Sequence, residues 1–207
     1  MKKRTATIKR KTKETDITVK LNIDGSGKSK ISTGIGILDH MLELFAFHGL
    51  FDLDITAKGD LSVDIHHTNE DVGIVLGQAF KEALGTKEGI KRFGSASVPM
   101  EDVVANVTVD ISGRGYFSLN TEKGKSEGFD ALKVLLQDDY LFKDALHFFE
   151  SFAKHLGVNL NVTVKPISKD LHTTLEPVFK ALGKALDEAT QIDPRRKGIP
   201  STKGVID

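Results

Sequence analysis

From Thr5 to Ile23 apolar and polar positions alternate, the period of a half-buried strand, and "DGSG" at 24–27 closes the stretch with a turn. "KISTG" returns as a second strand. At Gly36 the period changes. In "GILDHMLELFAFHG" Ile37, Met41, Leu44 and Phe45 share one helical face, and Gly49 suits the C-terminus. "FDLDITAKGDLSVDI" (51–65) predicts two alternating strands broken at Lys58-Gly59-Asp60, and "EDVGIVLGQAFKEALG" (70–85) a helix ending at Gly85.

The second half runs in the same order. Residues 102–121 are strand-like with a break at "SGRG"; 138–156 predict a helix containing "ALHFFESFAKHLG"; "VNLNVTVK" is a strand and "LEPVFKALGKALDEAT" a helix. The tail from Gln191 to Asp207 is irregular and polar. The halves also share residues. Aligned without a gap, 40–58 and 147–165 are identical at the positions of His40, Glu43, Phe45, Ala46, His48, Leu53, Thr56 and Lys58. After a one-residue slip "DIHHTNEDV" (64–72) matches "DLHTTLEPV" (170–178) at the Asp, the first His, a Thr, the Glu and the Val. A duplication at this scale predicts an α+β fold with duplicated βαβ-type halves, two sheets backed by helices. The expected organisation is a first half over 1–93, a second over 94–190 and a tail over 191–207 that contributes to the site.

A repeat kept only for packing retains apolar residues, yet this one retains histidines and glutamates, and all 7 histidines lie in the repeated segments. Residues three and four apart share a helical face. His67 and Glu70 can therefore grip one cation while His66 serves another, and His172 and Glu176 form the corresponding pair four apart. Imidazole nitrogen and carboxylate oxygen suit Mn, Fe, Zn or Ni, and the residue types do not choose among them. The same residues also fit a plain account, with histidines at helix ends and glutamates in first turns where the helix dipole favours them.

The remaining totals narrow the field. The 207 residues contain no cysteine, so disulfides, thiolate metal sites and a cysteine nucleophile are excluded. Lys and Arg number 29 against 29 Asp and Glu. With no tryptophan and 2 tyrosines, there is no basic aromatic face of the kind that reads RNA. The basic N-terminal stretch lacks an apolar signal core, and no run is long enough to span a membrane. The expectation is a soluble, cytoplasmic protein without nucleic-acid or membrane partners.

"TGIGILDHML", "DIHHTNEDVGIVLGQAF", "GIKRFG", "VDISGRGYF", "HFFESFAKH", "FKALGKAL" and "PSTKGVID" together resemble imidazoleglycerol-phosphate dehydratase of histidine biosynthesis, in order, from about Arg10 to Asp207. The resemblance implies the ribosomal-protein-S5-domain-2-like version of the α+β fold. It also implies a small phosphate substrate, two Mn ions, and self-association through trimers into a shell of twenty-four subunits with sites completed between subunits. Carried over residue by residue, it gives the first ion His40, His67, Glu70 and His172, and the second His66, His147 and Glu176. It makes Glu14 and Glu176 catalytic. Substrate contacts fall to Glu14, His40, His48, His66 and His172, with Arg92, Arg114, Lys180, Ser201 and Lys203 around the phosphate.

The sequence departs from the family pattern where a second HHxxE is expected. "SKDLHTTLEP" carries Thr173 in place of a histidine ligand, Asp170 in place of asparagine, and Pro177 after the glutamate. Pro177 fits the first turn of a helix. Threonine is a poor ligand for Mn, so the second site is expected to be weakened. Two functional readings follow: an impaired dehydratase, or a non-catalytic family member that binds metal and phosphate ligand.

Overall fold

The structure is a computed structural model that describes residues 3–121 and 135–206. Positions 122–134 of the second half and Asp207 of the tail lie outside the described residues. Each half follows one plan. In the first, β1 (Thr5–Lys11), β2 (Thr15–Asn22) and β3 (Ser29–Ser32) lead into α1 (Gly36–Gly49), β4 (Asp52–Gly59) and α2 (Ile65–Leu84). In the second, β5 (Phe93–Met100), β6 (Val103–Asp110) and β7 (Tyr116–Thr121) precede the short hairpin β8 (Leu136–Gln137) and β9 (Tyr140–Leu141). Then come α3 (Phe142–Leu156), β10 (Asn159–Lys165) and α4 (Leu171–Thr190).

The two sheets have matching strand orders, β1-β2-β4-β3 and β5-β6-β10-β7. β3 runs parallel to β4 with Ile31 opposite Ile55, and β7 parallel to β10 with Phe117 opposite Leu160. Each parallel pair needs a crossover, supplied by α1 in one half and α3 in the other. Alternation places Ile17, Val19 and Leu21 of β2 and Val103, Ala105, Val107 and Val109 of β6 on buried faces. Burying each such aliphatic side chain contributes on the order of 1.5–3 kcal/mol.

Helices fill the space between the sheets. α2 packs on β1 and β2, α4 on β5 and β6, and the two helix layers meet as α1 against α4 and α2 against α3. Phe45, Phe80 and Phe152 join the layers, with Phe80 edge-on to Phe152 at 5.8 Å. Glycines allow the closest approaches. A Cβ on Gly77 would stand 2.7 Å from the Phe152 carbonyl oxygen, and one on Gly183 would stand 2.5 Å from the Phe45 carbonyl oxygen.

Three expectations are corrected, and one strand is new. Only the first strand of 51–65 forms. Val63 N–H donates to the Asp60 carbonyl at 2.7 Å, and the Asp64 carboxylate accepts from His66 N–H at 2.8 Å, so the segment becomes a turn and a helix N-cap. The predicted helix over 138–156 starts at Phe142, because Asp138 and Asp139 adopt φ of 48° and 65° as the turn between β8 and β9. β5 carried no sequence expectation. Its inward residues, Gly94, Ala96 and Val98, are small, and Gly94 lies so close to α4 that a Cβ would meet the Ala185 carbonyl oxygen at 2.0 Å. Glu14 lies in the turn between β1 and β2 rather than within a strand.

Candidate functional site

The site begins at helix N-termini. Asp64 caps α2 and Asp170 caps α4, the latter by accepting from Thr173 N–H at 3.0 Å and Thr173 Oγ1–H at 2.8 Å. These bonds hold both Asp carboxyls below the usual carboxylate range: the His66 backbone N–H acts on Asp64, and the Thr173 hydroxyl on Asp170. His66, His67 and Glu70 thus fall in the opening turns of α2, and His172 and Glu176 in those of α4.

Two clusters result, and each draws on both halves. In the first, the His40 ring on α1 stacks on His172 of α4 at 5.0 Å between centroids. Glu176 Oε2 lies 2.6 Å from His172 Nε2 and 3.6 Å from His40 Nε2. Lys180 pairs with the other Glu176 oxygen. Burial pushes the Glu176 carboxyl up, but the Lys180 hydrogen bond and charge, with His172, outweigh it and hold the group below its ordinary range. A recess of ≈ 350 Å³ opens beside this cluster, lined by Gly36, Ile37, His40, Gln137, Asp138 and His172. His48, two turns along α1, is pushed down by burial and by the charges of Lys180 and Lys184, which keeps it neutral near pH 7.

In the second cluster His147 Nδ1 on α3 lies 3.0 Å from His66 Nδ1 on α2. Glu70 meets the other nitrogen of the His66 ring, Nε2, at 3.4 Å, and accepts a bond from Ser151 Oγ–H at 3.5 Å. A carboxylate oxygen of Asp144 joins ring nitrogens of His66 and His147, all within 4.8 Å of one another.

The pairing of ligands therefore differs from the sequence expectation. Within one chain Glu70 lies with His66, and Glu176 with His40 and His172. The grip of His67 and Glu70 on one ion is not formed by this chain alone. His67 instead turns to Asp60, whose two carboxylate oxygens lie 3.1 and 3.2 Å from its Nδ1. That hydrogen bond raises the His67 pKa, with a smaller contribution from the Glu14 charge. Glu14 is tied to the same corner, its carbonyl accepting from Asp60 N–H at 3.1 Å.

The expected phosphate residues are dispersed. Lys180 belongs to the first cluster. Arg92, at φ 74°, binds Asp110 through Nε at 2.6 Å and donates from Nη1 to the Pro200 carbonyl at 3.0 Å, so it holds the tail in place. Ser201 and Lys203 share a tail turn, with Lys203 N–H donating to Ser201 Oγ at 3.2 Å, and Arg114 lies in the loop before β7 with its N–H on Ser112 Oγ. Asp60 and Asp144 were missed in the sequence. Asp144 had a signal, since it stands three residues before His147 on one helical face.

Both donor sets suit a divalent cation. Two imidazole nitrogens 3.0 Å apart are separated as ligands at right angles on one ion at about 2.1 Å would be.

Comparison with known proteins bears on this arrangement. Residues 33–186 match the model of a family described as imidazoleglycerol-phosphate dehydratase. The chain is 49% identical over 203 residues to the imidazoleglycerol-phosphate dehydratase of Pelobacter propionicus, covering 98% of this chain and 99% of that one. It is 51% identical over 203 residues to that of a Geobacillus species, with the same coverage. Among solved structures, IGPD from Pyrococcus furiosus in complex with (S)-C348 superposes with a TM-score of 0.78 at 35% identity, over 96% of this chain and 99% of that one. The imidazoleglycerol-phosphate dehydratase of Staphylococcus aureus gives 0.77 at 31% identity, over 91% and 99%.

Proposed function

The chain belongs to the imidazoleglycerol-phosphate dehydratase family and is a carbon–oxygen lyase of histidine biosynthesis, and we propose that it dehydrates imidazole glycerol phosphate to imidazole acetol phosphate at two divalent cations, manganese in the family's manner. The observation that carries the two-ion reading is the pair of histidine–carboxylate clusters, each built from both halves. His40, His172 and Glu176 would hold one ion, and His66 and His147 the other. A bound divalent cation supplies Lewis-acid polarisation and a template for the substrate's imidazole ring.

The rest of the chemistry falls to side chains. Removing water requires loss of a carbon-bound proton, a transfer we assign to the exposed Glu14 carboxylate once a second copy brings it to a cluster. Lys180, Arg114, Ser201 and Lys203 bind the phosphate, which is remote from the bond broken and positions the reacting end. Arg92 acts by keeping the tail seated. Glu14 and His67 meet at Asp60 rather than at a carboxylate of either cluster, which supports self-association that brings this corner to a second copy's cluster. Exposed Phe47, Leu50, Val63 and Phe93 supply apolar surface for such contacts. Membership in a small-molecule biosynthetic family supports a cytoplasmic location.

Thr173 favours a second reading of the same site. Its hydroxyl is committed to Asp170, so position 173 offers no ligand, and turnover should fall below that of a family member with the expected histidine there. Metal content per subunit of Mn-loaded protein, measured beside product formation from imidazole glycerol phosphate, separates the cases. Two ions with turnover support the dehydratase. One ion or tight substrate binding without product supports the non-catalytic reading. No bound metal overturns the site.

A further inference from the structure

We propose that Asp144 is a ligand of the ion held by His66 and His147, a carboxylate supplied from within this chain. The inference rests on the two-ion reading above. Three observations carry it. Asp144 places a carboxylate oxygen with one nitrogen from each histidine inside 4.8 Å. Its residue is 3% exposed, yet among the described residues the carboxylate accepts one hydrogen bond, from Leu141 N–H at 2.8 Å, and pairs with no lysine or arginine. A buried carboxylate with so little compensation is a strong acceptor for a cation. Third, the repeat sets Asp144 against Ile37, each three residues before the histidine of its helix. The cluster of His40 and His172 thus has an apolar residue at this position, whereas the cluster of His66 and His147 has a carboxylate.

Glu70 does not fill the same role. It reaches Nε2 of His66, while Nδ1 of that ring faces His147. An ion between the two Nδ1 atoms therefore takes its carboxylate from elsewhere, and among the described residues Asp144 is the carboxylate that groups with both rings. The carboxylate gives the site a negative charge, which favours harder cations such as Mn over Zn.

Asp144 also accepts the N–H at the start of α3, so its removal has a structural cost unrelated to metal. Asp144→Asn keeps an acceptor for that N–H and removes the charge, and Asp144→Glu keeps the charge. The full-length protein and both variants are titrated with Mn while free ion is followed by electron paramagnetic resonance, and thermal midpoints are taken in the metal-free state. Wild type should bind two ions per subunit. Asp144→Asn should weaken one of them by about 10- to 100-fold or more, the scale on which shell groups act, with the metal-free midpoint little changed, and Asp144→Glu should recover part of the loss. Unchanged affinity for both ions, with or without a lowered metal-free midpoint, reduces Asp144 to a helix cap and overturns the proposal. If wild type binds no Mn, the two-ion reading itself fails, a result distinct from either.

Discussion

His66 Nδ1 stands 3.0 Å from His147 Nδ1 although 81 residues separate them and their helices belong to different halves. His40 and His172 repeat the relationship, α1 meeting α4 as α3 meets α2. The clusters are therefore products of helix packing between halves, and their ions should be separable by mutation. His147→Ala should remove one ion per subunit and leave the other, and His40→Ala should do the converse. Each should lower kcat/KM by at least about 100-fold. Metal analysis of desalted protein, beside steady-state kinetics, checks both.

The spacing of α2 and α3 depends on Gly77. Alanine is favoured in a helix by about 1 kcal/mol, but here its Cβ would stand 2.7 Å from one backbone atom, Phe152 O, and 2.9 Å from another, Leu156 N. Backbone yields less than a side-chain tip, so overpacking of roughly 1–3 kcal/mol wins. Gly77→Ala should lower the urea midpoint and weaken the ion between His66 and His147 more than the other.

Tyr140 donates from its hydroxyl to Asn69 Oδ1 at 2.9 Å, and Asn69 Nδ2–H donates to the Asp144 carbonyl at 2.7 Å. Burial, with the nearby Asp144 charge, pushes the phenol well above its usual range. The stability tied to the protonated phenol is therefore fully present below the unfolded tyrosine value of about 10 and is lost as pH rises beyond it. Denaturation midpoints of wild type should fall above that pH, and Tyr140→Phe should flatten this part of the fall. At neutral pH the substitution leaves Asn69 Oδ1 without its donor and should cost about 1–3 kcal/mol.

Arg92 fastens the tail through Pro200 and is itself fixed by Asp110. Arg92→Ala should hasten tryptic cleavage at the exposed Arg195 and Arg196, and raise KM for substrate more than it lowers kcat. Cleavage sites read by mass spectrometry, and Michaelis profiles, test the two parts.

The duplicated plan and most helices were legible because the apolar period and the shared histidines survive in both halves. The ligand grouping was not. Sequence spacing showed that His67 and Glu70 share a face, but Asp60 captures His67 through a turn that alternation had suggested was a strand. Asp144 was hidden for a similar reason. The residues before His147 looked helical from 138, whereas left-handed Asp138 and Asp139 make a hairpin and put Asp144 in the first turn of α3, beside His66.

The swap of helices between halves has a consequence for descent. α1 touches α4 and α3 touches α2, the reciprocal pattern of a symmetric dimer whose faces are each other's partners. A single half holds neither cluster, so an ancestor of half this length would have bound ions only as a pair, with both sites identical by symmetry. In one chain the two sites are free to differ, as they do here: Asp144 stands with His66 and His147, and Ile37 at the matching place beside His40 and His172.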